Sequence, residues 1–106
     1  MFDVNGFNIK LTRGDTANFH VTITENNEPY ILSDTDELIL VVRKNAIDSK
    51  VFLKIKGDKN ANFVIYPKDT KNMYFGHYDY FIRLIINPDE VYSIIPISDF
   101  EILEEL

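Results

Sequence analysis

The chain has two histidines and no cysteine, which limits the chemistry its side chains can perform. A general base or a metal site would need His20 or His77 beside a carboxylate or a second ligand. His20 falls on the polar positions of an alternating run, and His77 lies at the turn into a long apolar run. We interpret both as surface or cross-strand residues, and we predict no catalytic, cofactor or metal site.

Two other groups of residues have types that suit ligand binding. Residues 34–37 and 89–90 place carboxylates close together on loops, but neither segment has the ligand spacing of a calcium loop. Residues 13–15 read Arg-Gly-Asp, the integrin-binding tripeptide, and Gly-Asp between two strands is also ordinary turn chemistry. We interpret the acidic segments as solvated loops and residues 13–15 as a tight turn in which Gly14 supplies backbone freedom.

Aromatic residues are concentrated in the second half of the chain. They are Tyr66, Tyr74, Phe75, Tyr78, Tyr80, Phe81 and Tyr92. Exposed and coplanar on one sheet, such residues would stack on sugar rings, and otherwise they fill a core and an interface. A carbohydrate-binding or adhesion module is therefore an alternative function.

Length and charge narrow the class further. The 106 residues suit a single domain spanning 1–106. The net charge of −6 argues against nucleic acid as the main partner, and no apolar run is long enough to span a membrane or to form a signal peptide. Lysines crowd residues 50–71, whereas residues 87–106 carry only acidic charges. This division indicates either two solvated faces, with lysines guarding a sheet edge, or complementary surfaces for self-assembly.

Short alternating apolar runs recur from Phe7 to Leu103, separated by Gly, Pro, Asn and Asp. This rhythm predicts an all-β fold, an immunoglobulin-like antiparallel β-sandwich of about seven to eight strands. We expect a buried strand at 38–42, an edge-like lysine strand at 51–56 and the longest strand at 78–86. We expect a loop at 25–29, a short edge strand at 30–32 and a crossover between sheets at 67–75.

The residues before the predicted long strand sharpen the sandwich prediction. Asp69, Gly76 and Tyr78 have the spacing Asp-x6-Gly-x-Tyr. Immunoglobulin-like sandwiches often place a tyrosine here, with its hydroxyl bonded to the backbone a few residues upstream. We therefore expect Tyr78 to anchor the crossover.

Two predicted strands carry apolar residues on both faces, which is unusual for a sheet with one wet side. If these strands are neighbours, Ile39, Val41, Phe81 and Ile85 form one patch on the face opposite the core. We expect another subunit to cover this patch. The competing hypothesis is that residues 25–37 or 67–75 fold over it.

The order of these features resembles the small sandwich domains of tail and baseplate proteins in phages of Gram-positive bacteria. It is similar in particular to the N-terminal domain of the baseplate upper protein family. The resembling segments are Ile9-x-Leu11-x-Arg13-Gly14-Asp15-Thr16, Phe19-x-Val21-x-Ile23, Pro67-x-Asp69-Thr70-x2-Met73, Gly76-x-Tyr78-x-Tyr80-x-Ile82-x-Leu84, Val91-Tyr92-x-Ile94 and Phe100-x-Ile102. Those family members continue into helical and further domains, whereas the sequence here ends at Leu106.

The resemblance implies a non-enzymatic structural part of a phage or prophage virion. It implies protein partners, either further copies of the chain in a homo-oligomer or other virion proteins. The expected location is the virion, or the bacterial cytoplasm before assembly.

Overall fold

The structure is a computed structural model that describes residues 8–45, 47, 50–87 and 89–104. Over these residues the chain forms strands and one four-residue helix, which confirms the predicted all-β class. In chain order the elements are β1 Ile9–Thr12, β2 Ala17–His20, β3 Thr24–Glu25, β4 Glu28–Pro29, β5 Glu37–Arg43, β6 Val51–Lys56, β7 Asn62–Ile65, α1 Pro67–Thr70, β8 Gly76–Asn87 and β9 Glu90–Leu103.

The strands form one large sheet and two small ones. The large sheet has the order β1-β9-β8-β5-β6, so β6 is an edge strand, as its lysines predicted. The pairs β2-β7 and β3-β4 form separate two-stranded sheets. Every pair is antiparallel except β1 with β9, which is parallel, so a purely antiparallel sheet was a wrong expectation. The immunoglobulin-like sandwich assignment stays a prediction.

One hydrophobic cluster joins the large sheet to the β2-β7 pair. Alternate residues of β5 and β8 point into it, as the period of a strand requires. Its large-sheet members are Leu11, Leu38, Leu40, Val42, Leu53, Tyr78, Tyr80, Ile82, Leu84, Ile94, Ile95, Phe100 and Ile102. From the small sheet, Phe63 and Ile65 are buried, and Phe19 stacks on Phe63 with ring centroids 5.4 Å apart.

Three local expectations differ from the structure. Residues 25–29 belong to a hairpin, because Asn26 and Asn27 both take positive φ, as the tight turn between β3 and β4 requires. Residues 30–32 form no strand, and Tyr30 instead packs against the core. The longest strand is β9, with 14 residues against 12 in β8.

The connection from β7 to β8 is held by three hydrogen bonds, each made by a residue that the sequence indicated as structural. The Asp69 carboxylate accepts a hydrogen bond from the Tyr66 amide at 2.7 Å, closing the first turn of α1. The Gly14 amide donates to the Thr70 hydroxyl at 2.9 Å. Gly14 and Gly76 both take positive φ, which other residues rarely adopt.

The third hydrogen bond is made by Tyr78, whose side chain is buried. Its hydroxyl donates to the Tyr74 carbonyl at 2.9 Å, which is the upstream backbone bond that the Asp-x6-Gly-x-Tyr spacing predicts. The ring also packs edge-on against Phe52, with centroids 5.2 Å apart. Tyr78 therefore joins the crossover to the large sheet through its hydroxyl, while its ring is held within that sheet by Phe52.

We expect Tyr78→Phe to lower the free energy of unfolding by about 1 kcal/mol, because it removes this hydrogen bond and keeps the ring. Urea denaturation measures the difference. Tyr74→Phe is the matched control, because the Tyr74 side chain is 81% exposed and its carbonyl survives the change. A Tyr78→Phe protein as stable as the parent would contradict the anchoring role.

Burial also raises the pKa of Tyr80 to about 12. In the unfolded chain a tyrosine ionises near pH 10, so between about pH 10 and 12 only the unfolded state loses this proton. Stability should be fully retained below pH 10 and decline as the pH rises toward 12.

Urea unfolding across this alkaline range, compared between the parent and Tyr80→Phe, measures the contribution. The variant should decline less steeply. Part of the decline remains, since burial and Asp36 raise the pKa of Tyr30 to about 12 as well. If the free energy of unfolding declines in parallel in the two proteins, Tyr80 has the same pKa in the folded and unfolded states.

Candidate functional site: the outer face of the five-stranded sheet

The side of the large sheet that turns away from the core is called the outer face here. Its strand pairing brings the predicted interface residues together, with Val41 opposite Phe81 and Ile39 opposite Arg83. Ile85 lies opposite Glu37. The outer face includes Glu37, Ile39, Val41, Arg43, Val51, Lys54, Lys56, His77, Asp79, Phe81, Arg83, Ile85, Val91, Ser93, Asp99 and Glu101.

The four apolar residues of the predicted interface are each partly exposed rather than buried. The two segments expected as alternative covers direct their contacts elsewhere. Tyr30 and Leu32 pack against the core from the first segment, and Met73 of the second is buried in the core. In the described part of both segments, these side chains therefore contact the core and not the outer face.

Phe81 occupies the centre of the outer face and lies against two guanidinium groups. The Arg83 carbon Cζ is 4.6 Å from the ring centroid, and that of Arg43 is 5.0 Å away. A cation over an aromatic ring stabilises by about 0.5–1 kcal/mol at exposed sites and more when water is excluded. The patch is therefore an aromatic ring between two cations with aliphatic residues around it, rather than a purely apolar surface.

The Arg43 side chain has a hydrogen-bond donor that is not satisfied. Its Nε is buried, yet within the described chain it has no hydrogen-bond partner. A buried donor without an acceptor carries a desolvation penalty of about 1–3 kcal/mol. An acceptor from another molecule would remove this penalty.

Charge is divided across the outer face. Lys54 and Lys56 of β6 lie beside Val41 and Ile39 and extend the basic side. The acidic side lies on β8 and β9, where Asp79 and Asp99 are directly opposite each other. Like charges directly opposite in a sheet are unfavourable, so this arrangement favours a neighbouring cation.

His77 lies beside the acidic side, and its ring is placed between two carboxylates. Its Nδ1 is 2.9 Å from both carboxylate oxygens of Asp99, and its Nε2 is 3.6 Å from Oε2 of Glu101. Lys10 Nζ lies 4.0 Å from the other oxygen, Oε1, of Glu101. His77 is exposed on the surface and cross-strand, as the sequence indicated, but the sequence did not indicate its two acidic neighbours.

The second histidine has different surroundings. His20 is exposed on β2, and its Nδ1 is 3.0 Å from the side-chain oxygen of Asn62 on β7. This matches the expected cross-strand role. Within the described residues, one group brings together three side chains of metal-ligating types. These are His77, Asp99 and Glu101.

The remaining candidate residues mainly organise loops. In the acidic segment 34–37, the Asp36 carboxylate accepts bonds from the Tyr30 hydroxyl at 2.7 Å and from the Ser33 amide at 3.0 Å. In the Arg-Gly-Asp turn, Arg13 lies over the Phe75 ring at 4.4 Å and Nη1 donates to the Met73 carbonyl at 3.4 Å. The guanidinium of Arg13 is thus held against the crossover.

The aromatic residues do not share one exposed face of a sheet. Tyr78 and Tyr80 are buried, and the most exposed members, Tyr66, Tyr74 and Phe75, lie on the crossover around α1. Phe81 belongs to the outer face, whereas Tyr92 is paired with the core residue Leu84. Among the described residues, the coplanar exposed row that the carbohydrate hypothesis needs is therefore not formed.

Sequence reasoning found the apolar members of the outer face and missed the charged ones. Arg43 and Arg83 alternate with buried residues, which was a visible signal. Asp99 and Glu101 share a strand face by the same rule, but only the register of β9 against β8 places them beside His77. That register includes shifts near Tyr80 and Ile82, opposite the part of β9 that contains Pro96, a residue that sheets tolerate at bulges.

Among the described residues, no helix is long and apolar enough to cross a membrane. No family model matches the chain, and no curated protein matches it. What this surface does has to be argued from its own residues.

Proposed function

We propose that the protein is a non-enzymatic assembly module of a phage or prophage virion, and that its outer face binds a second copy of the chain. The observation that carries the proposal is Phe81, partly exposed at the centre of a sheet face between Arg43 and Arg83. Aromatic and arginine side chains with aliphatic neighbours are typical of the energetic centre of a protein interface. The phage assignment rests on the family resemblance of the sequence.

The composition of the surface around Phe81 is that of an interface. Ile39, Val41 and Ile85 adjoin it through the β5–β8 register. At the margins of the same sheet, Val51 and Val91 are each 51% exposed. Exposed apolar side chains that adjoin one another in this way are typical of a surface that binds a partner.

The arrangement of charges supports a second copy as the partner. Asp79 and Arg83 flank Phe81 on β8, each two residues away and on the same face. Two copies can pack with their outer faces together about a two-fold axis that passes between the two Phe81 side chains, parallel to the sheet and perpendicular to β8. In this pair, Asp79 of each copy meets Arg83 of the other. A two-fold interface must be self-complementary in this way, and it closes without open-ended growth.

A charge-swap series measured by light scattering tests this geometry. Asp79→Arg alone and Arg83→Asp alone should each reduce the dimer fraction, since each places like charges opposite each other. The double variant Asp79→Arg/Arg83→Asp should recover much of it. Recovery in the double variant would be hard to explain without direct pairing.

Phe81→Lys tests the apolar centre of the same contact. We expect it to give a monomer with an unchanged circular dichroism spectrum, because a third cation between Arg43 and Arg83 repels the partner. Ile31→Lys is the control, since Ile31 is 86% exposed outside the outer face. A parent protein that is already monomeric at micromolar concentration would overturn the self-association proposal.

The virion assignment needs a separate measurement, which is mass spectrometry of purified phage or prophage particles. The chain should stay with the particles through high-salt washing, because contacts buried from water are weakly screened. It should also occur in a fixed ratio to the tail proteins. Recovery only from the cell extract, with none in particles, would contradict a structural role in the virion.

A further inference from the structure

The imidazole of His77 is oriented by Asp99. Both carboxylate oxygens of Asp99 lie 2.9 Å from Nδ1, so a proton on Nδ1 is donated to Asp99, and in the neutral ring the lone pair is then on Nε2. Asp99 is itself held, because its amide donates to the Asn8 side chain at 3.1 Å. A carboxylate bound to one ring nitrogen is the usual support of a histidine that ligates a metal through the other nitrogen.

The free nitrogen faces another acceptor. Nε2 of His77 and Oε2 of Glu101 are 3.6 Å apart, so in the neutral ring two electron-rich atoms face each other, an arrangement that a cation bound between them would stabilise. That distance is too long for a hydrogen bond to bridge them. It is close to the ligand separation of a tetrahedral zinc site, about 3.4 Å for two ligands that are each about 2.1 Å from the ion.

We propose that His77 Nε2 and Glu101 Oε2 bind a divalent transition-metal ion of the Zn²⁺ class, with Asp99 as the positioning residue. The sequence led to the opposite expectation, that the chain has no metal site. All three residues belong to one chain, so the proposal does not depend on self-association.

Burial and charge around the site agree with this role. The side chains of Glu101 and Asp99 are 22% and 34% exposed, whereas that of His77 is 66% exposed, so an ion can reach the ring while the carboxylates are partly shielded from water. Asp79, opposite Asp99, adds a further negative charge to the same face. Lys10 is the opposing cation, at 4.0 Å from the other oxygen of Glu101.

The donor set also indicates the class of ion. One imidazole nitrogen and one carboxylate oxygen suit Zn²⁺, whereas Ca²⁺ and Mg²⁺ prefer oxygen ligands alone. Two ligands from one chain leave the remaining coordination positions to water or to a group from another molecule. We therefore expect reversible binding rather than a metal on which folding depends.

A titration with Zn²⁺ alone, followed by the ring signals of the two histidines in NMR spectra, tests the site. The signals of His77 should shift at zinc concentrations that leave those of His20 unchanged, which makes His20 an internal control. Long-range proton–nitrogen spectra should show zinc on Nε2 and the proton retained on Nδ1. Ca²⁺ at the same concentrations should shift neither ring.

Variants separate ligation from positioning. His77→Ala and Glu101→Gln should abolish or strongly weaken zinc binding, whereas Asp99→Asn should weaken it by about 10–100-fold and keep both ligands. Glu37→Gln, at the other end of the outer face, is the matched control and should bind like the parent. Lys10→Ala should bind more tightly, because it removes a competing cation.

Three results would overturn the proposal. Zinc could leave the His77 signals unmoved, or it could shift both histidines at the same concentration. The Asp99→Asn variant could also bind zinc as tightly as the parent, which would mean that Asp99 does not position the His77 ring. The titration of the parent protein decides the first two results even if a variant fails to fold.

Discussion

The register between β8 and β9 is the constraint on which the rest of the molecule depends. It places Tyr78 opposite Phe100 on the core side and His77 opposite Glu101 on the outer side. Because side chains alternate along a strand, a slip by one residue would exchange these two faces completely. Buried residues on one side and charged residues on the other make any such slip costly.

The same alternation explains why the outer face differs from an ordinary solvated sheet. β8 contributes Asp79, Phe81 and Arg83 in succession to that face, so one strand presents an acid, an aromatic ring and a base in line. Arg43 reaches the same ring from β5. The guanidinium groups cover part of the aromatic ring and themselves stay hydrated. The ring is therefore partly shielded from water and can still contact a partner.

The sequence was sufficient for features that depend on local pattern. A continuous apolar run predicted β5, and alternation predicted β6 and β8. The Asp-x6-Gly-x-Tyr spacing predicted the hydroxyl bond of Tyr78. It failed where the outcome depends on partners distant in sequence. The parallel pairing of β1 with β9 is such a case, and so is the placement of Asp99 beside His77.

Some local features were missed for a different reason. The hairpin at Asn26 and Asn27 depends on two residues with positive φ, a conformation that asparagine tolerates without requiring it. An Asn-Asn pair therefore fits both a tight turn and an irregular loop. The choice between them is made by the hydrogen bond from the Tyr30 amide to the Ile23 carbonyl, which extends the pairing beyond the two short strands.

The parallel pairing of β1 with β9 has a consequence for the order of events during synthesis. Ile9 leaves the ribosome long before Phe100, the residue beside which it finally lies. Contacts between such distant residues form slowly, since the loop between them must first close. The large sheet therefore cannot be completed before β9 has left the ribosome. Until then β1 lacks its partner strand, and unpaired strand edges of this kind make incompletely folded chains prone to aggregation.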